Sequence, residues 1–158
     1  MATDSGQALT LEDQLAIRQL LARYPRAMDN RDVEGYVSAF APDAIIEMET
    51  GIVDGVSQFR EVRGREQIRA MIEGLFNRGG DMPAPKLAER PRLRHLVGEP
   101  VIEASDGGCR ANSYCLIVRA ASDSASVASI GEYTDDCVKL NGQWVFAKRR
   151  MVFRPFLG

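Results

Sequence analysis

The chain has 158 residues, which suits one domain, since domains typically run to about 100 to 150 residues. Its 20 basic and 22 acidic side chains leave a net charge of -2, so we expect no nucleic-acid partner. No run approaches the roughly 18 apolar residues that a membrane span needs, and the first residues lack the basic and apolar regions of a signal peptide. We therefore expect one cytoplasmic domain, residues 1–158, without membrane association.

The cysteines and the single histidine predict no metal or redox centre. Cys109, Cys115 and Cys137 are odd in number, have no CxxC spacing and lie in apolar, strand-like stretches, which predicts free, buried thiols. His95 comes without a clustered set of carboxylates or cysteines that would complete a metal site. Because the glycines form no phosphate loop or dinucleotide fingerprint either, we predict neither metal nor cofactor.

The first predicted element is an amphipathic helix. Thr10 opens the capping-box pattern T-L-E-D, with an acid at the third helical position. Pro25 should kink or loosen the last turn, which places Asp29 near the end of the helix. The apolar residues at helical spacing are Leu11, Leu15, Ile17, Leu20, Leu21, Tyr24 and Met28.

Two more helices and a hairpin are predicted before residue 79. The segment RDVEGYVSAF predicts a short second helix, capped by Asp32, with Phe40 on its apolar side and a stop at residues 41–43. The stretches AIIEME and IVDG, around Gly51, predict a short hairpin. The segment GREQIRAMIEGLF, after Gly64, has apolar residues at helical spacing and predicts the third helix.

The second half of the chain has a different pattern. Residues 79–91 carry three prolines and two glycines, which predicts either a functional loop, such as a lid, or a mobile one. Tight turns at SDGG, SDSA and NGQ then join four predicted strands into an antiparallel meander. These strands are LRHLVGEPVIEA, CRANSYCLIVRAA, SVASIGEYTDDCVKL and WVFAKRRMVF.

This order of elements predicts an α+β architecture in a single domain. One face of a mixed or antiparallel sheet packs on the three helices, and a strongly bent sheet makes a cone-shaped barrel. Residues 1–9 are expected to be a flexible N-terminus. A cone of this kind has a concave, mostly apolar interior with a few inward polar groups, which is the usual form of a small-molecule pocket.

Several stretches resemble, in order and spacing, the SnoaL-like branch of the nuclear transport factor 2-like (cystatin-like α+β barrel) superfamily. The resemblance covers nearly the whole chain and implies the cone fold. It leaves the function open, because this fold hosts isomerases, dehydratases, cyclases, hydrolases, dioxygenase small subunits and non-enzymatic binders. The matching stretches are LARYPRAMDNRDVEGYVSAFAPDA, GREQIRAMI, RHLVGEPVIE, GEYTDD and NGQWVFAKRRMVF.

Within that branch the chain looks most like scytalone dehydratase and the bile-acid 7α-dehydratases. The resemblance implies that Asp29 orients His95 and that His95 exchanges protons with the substrate, and Tyr24 matches a tyrosine of the bile-acid enzymes. Other positions depart from the fungal enzyme. Met28 and Met48 replace two tyrosines that hold a catalytic water, Ala120 replaces a second pocket histidine and Tyr133 replaces a pocket asparagine.

The residues themselves allow two interpretations of this set. In the first, Asp29 accepts a hydrogen bond from one ring nitrogen of His95, and the other ring nitrogen acts as a general base. In the second, Asp29 is a surface acid at the end of its helix and His95 is a polar strand residue without a catalytic role. Tyr24 is either a core aromatic or a proton donor. We expect Tyr133 to point inward, while Asp135, of the same parity, is expected to be a salt-bridge partner.

The remaining candidates concern substrate contacts. Asn112 and Tyr114 share one face of their strand, opposite Ser113 and Cys115, and we choose the Tyr114 face as the pocket lining, although local bulges decide which face points inward. Phe40 and Met48 are candidates for apolar walls, with simple core packing as the alternative. Five strand cations could contact an anionic or phenolic substrate, but we expect them to be solvated, as strand-surface cations usually are. They are Arg92, Arg94, Lys148, Arg149 and Arg150.

We therefore expect a cofactor-independent lyase that acts on an apolar aromatic or polycyclic hydroxylated small molecule. Its first-choice reaction is loss of water, and a retro-aldol release of a small aldehyde is the variant. The alternatives are a ketosteroid-isomerase-like isomerase, a polyketide cyclase, and a non-catalytic binding module similar to a dioxygenase small subunit. The apolar stretches CLIV and MVF predict a homo-oligomer. The family resemblance implies that this oligomer is a dimer or a trimer.

Overall fold

The computed structural model describes residues 8–77, 92–121 and 123–155. The predicted lid segment and all but the end of the predicted flexible N-terminus lie outside these residues. The α+β class is confirmed. In chain order the elements are α1 (Leu11–Asp29), α2 (Val33–Ser38), β1 (Phe40–Val53), β2 (Val56–Arg63), α3 (Gly64–Asn77), β3 (Arg92–Val97), β4 (Val101–Ser105), β5 (Gly108–Ala120), β6 (Ala125–Leu140) and β7 (Gln143–Pro155).

Helix α1 has the predicted capping box and ends where the sequence indicated. The hydroxyl of Thr10 accepts a hydrogen bond from the Asp13 backbone N–H at 3.0 Å, and the Thr10 N–H donates to the Asp13 carboxylate at 3.3 Å. Pro25 lies inside the helix without ending it, so the expected loosening does not interrupt the element. The last helical residue is Asp29.

The strands after α2 differ from the prediction. Phe40 was expected on the second helix, but it begins β1, because α2 already ends at Ser38. The predicted hairpin turn around Gly51 is wrong. Strand β1 continues past Gly51 with a bulge, and the turn falls at Asp54 and Gly55, whose φ angles of 51° and 79° suit the tight turns of β-hairpins.

The first strand of the predicted meander is two strands in the structure. Residues 98–100 interrupt it between β3 and β4, and Pro100 cannot donate a ladder hydrogen bond. Both β3 and β4 pair with β5 in antiparallel fashion. The predicted turn at Asn141 and Gly142 is present, with φ angles of 49° and 80°.

The seven described strands form one mixed sheet in the order β2-β1-β7-β6-β5-β3, with β4 also beside β5. Only the β1–β7 pairing is parallel; the others are antiparallel. The sheet is open, with β2 at one end and β3 at the other, so the expected barrel is not closed among the described strands. Helix α1 contacts β3 and β7, α3 contacts β1 and β2, and α2 contacts both helices.

Side chains on the face toward the helices line up across the strands in rows. We call two of these rows, which recur below, the Arg149 row and the Tyr133 row. The Arg149 row consists of Ala111, Asp135, Arg149 and Ile46. The Tyr133 row consists of Ser113, Tyr133, Met151 and Met48. Beyond the Tyr133 row come Cys115, then Ile117, which pairs with His95.

The opposite face of the sheet exposes apolar side chains, among them Leu96, Leu116 and Ile130. These residues include part of the stretch CLIV that predicted self-association. The dimer or trimer stays a prediction. None of the helices in the described part of the chain is long and apolar enough to span a membrane.

Asp13 ties the start of α1 to the sheet. Besides the capping box, its carboxylate accepts hydrogen bonds from Lys139 Nζ at 2.8 Å and Trp144 Nε1 at 2.9 Å. Hydrogen bonds from Lys139, Trp144 and Thr10 lower the pKa of Asp13 well below its ordinary value of 3.8. The ionised form is therefore favoured in the folded state.

We predict that Asp13→Asn lowers the free energy of unfolding near neutral pH. Because the folded-state pKa lies below the unfolded one, the contribution of the charge is fully present above the ordinary pKa of 3.8 and is lost as the pH falls toward the folded pKa. Urea denaturation at several pH values should show the difference between wild type and variant shrinking in acid. Asp106→Asn, at an exposed turn, is the control, and an equal pH-independent loss in both variants contradicts the prediction.

Candidate active site

The two residues predicted to act together, Asp29 and His95, are in direct contact. His95 Nδ1 lies 2.7 Å from Asp29 Oδ1, and the His95 backbone N–H donates to Asp29 Oδ2 at 3.1 Å. Their side chains are 12% and 10% exposed, so the pair is largely but not fully buried. An ionised carboxylate only accepts hydrogen bonds, so with Asp29 ionised and the ring neutral this contact requires the proton on Nδ1 and leaves a lone pair on Nε2.

The local fold explains why these two side chains meet. Asp29 is the last residue of α1, which packs on β3. Strand β3 is the last strand in the described sheet order, so one edge of its backbone has no partner strand there. Asp29 accepts the N–H of His95 at that edge, while the ring on the inner face bonds to the second carboxylate oxygen.

Apolar side chains share the inner face of the sheet with the dyad. Ile117 lies opposite His95, and Val97 follows two residues later on β3. Both are partly exposed and pack against the core, as do Met48, Met151 and Phe153 on β1 and β7. A partly exposed inner face of this kind offers an apolar contact surface on the same side of the sheet as the His95 ring.

Deeper along β5 and β6, Cys115 and Tyr133 lie on the inner face, where each contributes to the pKa shift of the other. Tyr133 is 2% exposed, which confirms that it points inward. Burial raises the pKa of the Cys115 thiol and also raises the pKa of Tyr133, so both groups stay protonated near neutral pH. All three cysteines are free and buried, as predicted.

A buried ion pair occupies the Arg149 row. Arg149 Nε and Nη2 donate to Asp135 at 2.6 and 2.7 Å, which confirms the salt-bridge interpretation of Asp135. The expectation that Arg149 is solvated is wrong, since the residue is fully buried. Its guanidinium carbon lies 3.8, 4.0 and 4.4 Å from the ring centres of Tyr24, Phe146 and Tyr133.

Each partner of the ion pair shifts the titration of the other. Burial alone would lower the pKa of Arg149, but the Asp135 carboxylate raises it above the ordinary arginine value. Burial raises the pKa of Asp135, and Arg149 opposes that rise through charge and hydrogen bonds. We assign the ionised form to both, because the two parallel hydrogen bonds match an arginine fork to a carboxylate.

The structure places Tyr24 and Phe40 in the aromatic core. The Tyr24 hydroxyl lies 3.1 Å from the Tyr36 hydroxyl and 3.7 Å from Met151 Sδ, so its role as a proton donor to substrate stays a prediction. Phe40 is fully buried against the rings of Tyr24, Tyr36 and Phe146. The prediction of Phe40 as a pocket wall is therefore wrong, because its ring has no surface left for a ligand.

Asn112 and Tyr114 lie on the other face of β5. The inner face carries Cys109, Ala111, Ser113 and Cys115, and strand alternation turns Asn112 and Tyr114 outward. Tyr114 is 69% exposed. Their assignment as substrate contacts in the interior is wrong. Met48, by contrast, lies on the inner face in the Tyr133 row, and its contact with substrate stays a prediction.

Two other features concern ligands. Among residues 8–77, 92–121 and 123–155, no three His, Cys, Asp or Glu side chains cluster as metal ligands. A cleft of about 360 Å³ lies between α1, α2 and the start of β7, lined in part by Arg23, Arg26 and Trp144. None of the predicted site residues lines this cleft, so it is separate from the dyad.

Comparisons with known proteins agree with this fold. A comparison with curated protein sequences finds no match. Among solved structures, a protein of unknown function with a cystatin-like fold from Nostoc punctiforme PCC 73102 is 24% identical, with 96% of this chain and 98% of that chain covered and a TM-score of 0.72. Two further structures, both from Novosphingobium aromaticivorans DSM 12444, are similar at lower identity.

The first of these two is a candidate scytalone dehydratase, 19% identical, covering 91% of this chain and 85% of its own, with a TM-score of 0.66. The second is the beta subunit of a candidate aromatic-ring-hydroxylating dioxygenase, 16% identical, covering 90% of both chains, with a TM-score of 0.71. Fold and inner face thus define an α+β protein of the cystatin-like class. The family described as SnoaL-like domain matches residues 9–150, and the chain belongs to that family.

Removal of the Asp29 carboxylate should change the tautomer of His95. In the wild type we expect nitrogen-15 NMR to show one neutral tautomer with the proton on Nδ1, because Asp29 accepts from that nitrogen. In Asp29→Ala the ring is free to place the proton on Nε2. Asp32→Ala, at the cap of α2, serves as the control. A wild-type ring with the proton on Nε2 contradicts the geometry.

The buried ion pair gives a second prediction. Arg149→Met leaves Asp135 as a buried, unpaired charge and should lower the free energy of unfolding by about 3–5 kcal/mol. Arg110→Met breaks the exposed pair with Asp136, whose side chains are 55% and 37% exposed, and should cost at most about 1 kcal/mol. Urea denaturation measures both, and equal losses in the two variants would refute the assignment of Arg149 as a buried partner.

Proposed function

We propose that the chain is a cofactor-independent lyase that removes water from an apolar aromatic or polycyclic hydroxylated small molecule. The observation that carries the proposal is the 2.7 Å contact between His95 Nδ1 and the Asp29 carboxylate, next to an apolar inner face. A histidine held in this way is poised for general acid-base work near neutral pH.

The proposed reaction uses one ring nitrogen twice. Nε2 of neutral His95 removes a proton from a carbon that an adjacent carbonyl group acidifies. The ring becomes an imidazolium, which the Asp29 carboxylate stabilises through Nδ1–H. The electron pair of the broken C–H bond forms the new double bond as the hydroxyl leaves from the neighbouring carbon, and Nε2–H returns its proton to that hydroxyl to give water.

The apolar side chains of the inner face support a substrate with a large apolar body. Ile117, Met48, Met151 and Phe153 offer aliphatic, thioether and aromatic surface on the inner face. Cys115 and Tyr133 stay protonated there, because burial raises the pKa of each. Among these side chains His95 is then the proton acceptor. A bulky hydroxylated ring system fits an apolar face that carries one such acceptor.

Membership of the SnoaL-like domain family and the likeness to a candidate scytalone dehydratase also favour the elimination reaction. A retro-aldol variant uses the same dyad: Nε2 takes the proton of a substrate hydroxyl, the adjacent carbon–carbon bond breaks, and a small aldehyde leaves. An isomerase would return the proton to a different carbon, and a cyclase would need a pocket acid without an essential histidine.

A non-catalytic role is the second candidate. The likeness to a dioxygenase beta subunit and the exposed apolar outer face of the sheet favour a binding module with a larger partner. In that case the interior dyad has no effect on any reaction. The two candidates therefore make opposite predictions for His95.

The test is turnover of a panel of hydroxylated bicyclic ketones, followed by mass spectrometry for loss of water or of a small aldehyde. His95→Gln should lower the rate by about 10² to 10⁴-fold, the usual contribution of a general base. Arg94→Gln changes the neighbouring residue on β3, whose side chain donates to the Leu93 backbone oxygen among the described residues, and should keep wild-type turnover.

Circular dichroism and urea denaturation must show that the His95→Gln variant is folded. Turnover that is unchanged in folded His95→Gln contradicts the proposed dyad. No turnover of any panel member by the wild type, together with co-purification of a larger partner subunit, favours the binding module instead.

A further inference from the structure

Two buried polar atoms of the inner face have no hydrogen-bond partner among the described residues. They are Ser113 Oγ and Arg149 Nη1. Ser113 is 6% exposed, and Arg149 is fully buried. Buried polar groups in folded proteins are nearly always paired, so each unpaired one calls for an explanation such as a bound ligand or water.

The orientation of Arg149 is fixed by its neighbours. Nε and Nη2 are both used by Asp135. The rings of Tyr24, Phe146 and Tyr133 surround the guanidinium carbon at 3.8 to 4.4 Å. Nη1 is therefore the part of the guanidinium that still has donors to offer.

The position of Ser113 relative to this group is given by Tyr133, which neighbours both. It stands directly opposite Tyr133 in the Tyr133 row, and the Tyr133 ring contacts the Arg149 guanidinium. Ser113 Oγ makes no hydrogen bond to the Tyr133 hydroxyl or to any other described group. Ser113 and Arg149 thus flank the same tyrosine on the inner face.

The distance from the dyad suits a ligand that spans both places. Ser113 is four residues along β5 from Ile117, which pairs with His95, and this corresponds to about 13 Å of extended strand. A molecule of two or three fused rings with polar groups at both ends has this reach. Its reacting end would meet Nε2 while its other end approaches Ser113.

We propose that Ser113 and Arg149 form a polar subsite that binds a neutral oxygen of the substrate, a carbonyl or phenol oxygen, at the end remote from the reacting carbon. This inference rests on the proposed function, because it places the substrate in the same interior. Arg149 donates from Nη1, and Ser113 donates or accepts through its hydroxyl. Asp135 already neutralises Arg149, so a carboxylate would add an uncompensated buried charge, and a neutral oxygen is the better fit.

The test measures binding of 2-naphthol and naphthalene by isothermal calorimetry, in a His95→Leu background that removes the ring nitrogens. The two probes differ by one hydroxyl. We expect 2-naphthol to bind about tenfold more tightly, the effect of one good hydrogen bond. Adding Ser113→Ala or Arg149→Lys should reduce that ratio to about threefold or less. Ser113→Ala removes the hydroxyl. In Arg149→Lys the ammonium would donate to Asp135 but would lack the N–H donors that Nη1 of the guanidinium directs elsewhere.

Ser105→Ala, at the exposed end of β4, is the matched control and should keep the ratio. Urea denaturation should find Ser113→Ala as stable as its parent or more so, since it removes an unpaired buried hydroxyl. Three results would overturn the subsite. The first is an unchanged ratio in folded Ser113→Ala, and the second is a loss of stability in that variant, which would mark a structural water at this hydroxyl. The third is no preference for 2-naphthol in the parent protein. Because this readout needs no turnover, it is independent of the test of His95 as a base.

Discussion

The contact between the Asp29 carboxylate and His95 is the interaction on which the rest of the site depends. One carboxylate joins the end of α1 to the edge of β3 that has no partner among the described strands, since it accepts both the ring N–H and the backbone N–H of His95. Hydrogen bonds to a charged group contribute about 1.5–3 kcal/mol each, more than neutral ones. The hydrogen bonds that join α1 to β3 therefore also fix the orientation of the His95 ring.

On the inner face, the buried ion pair and the Asp29–His95 dyad occupy different places. Asp135 and Arg149 neutralise each other deep in the core, where burial raises the pKa values of Tyr133 and Cys115 and keeps both protonated. The partly exposed dyad lies nearer the end of the face, beside apolar side chains. A ligand on this face would thus contact apolar side chains along its length. One end would lie at the base, His95, and the other at the hydrogen-bond donors of Ser113 and Arg149.

Much of this arrangement follows from local patterns in the sequence. The capping box and the 3.6-residue period of α1 predicted its bounds, and the Asn141–Gly142 turn predicted a hairpin. The contact of Asp29 with His95 came from the family resemblance, since 66 residues separate them. Arg149 was misjudged because long-range pairing with Asp135 decides its burial, although its parity with Met151 and Phe153 was a usable signal. Tyr114 was misjudged because alternation alone does not say which face of a strand meets the helices.

In the proposed reaction, His95 faces a substrate on the inner face of the sheet. The most direct measurement is a crystal structure of the wild-type protein with 2,6-dihydroxynaphthalene bound. We predict one hydroxyl oxygen about 2.6–3.2 Å from His95 Nε2, with the rings against Ile117 and Phe153. A ligand bound instead in the cleft beside Trp144, with Nε2 in contact with protein groups alone, would contradict it.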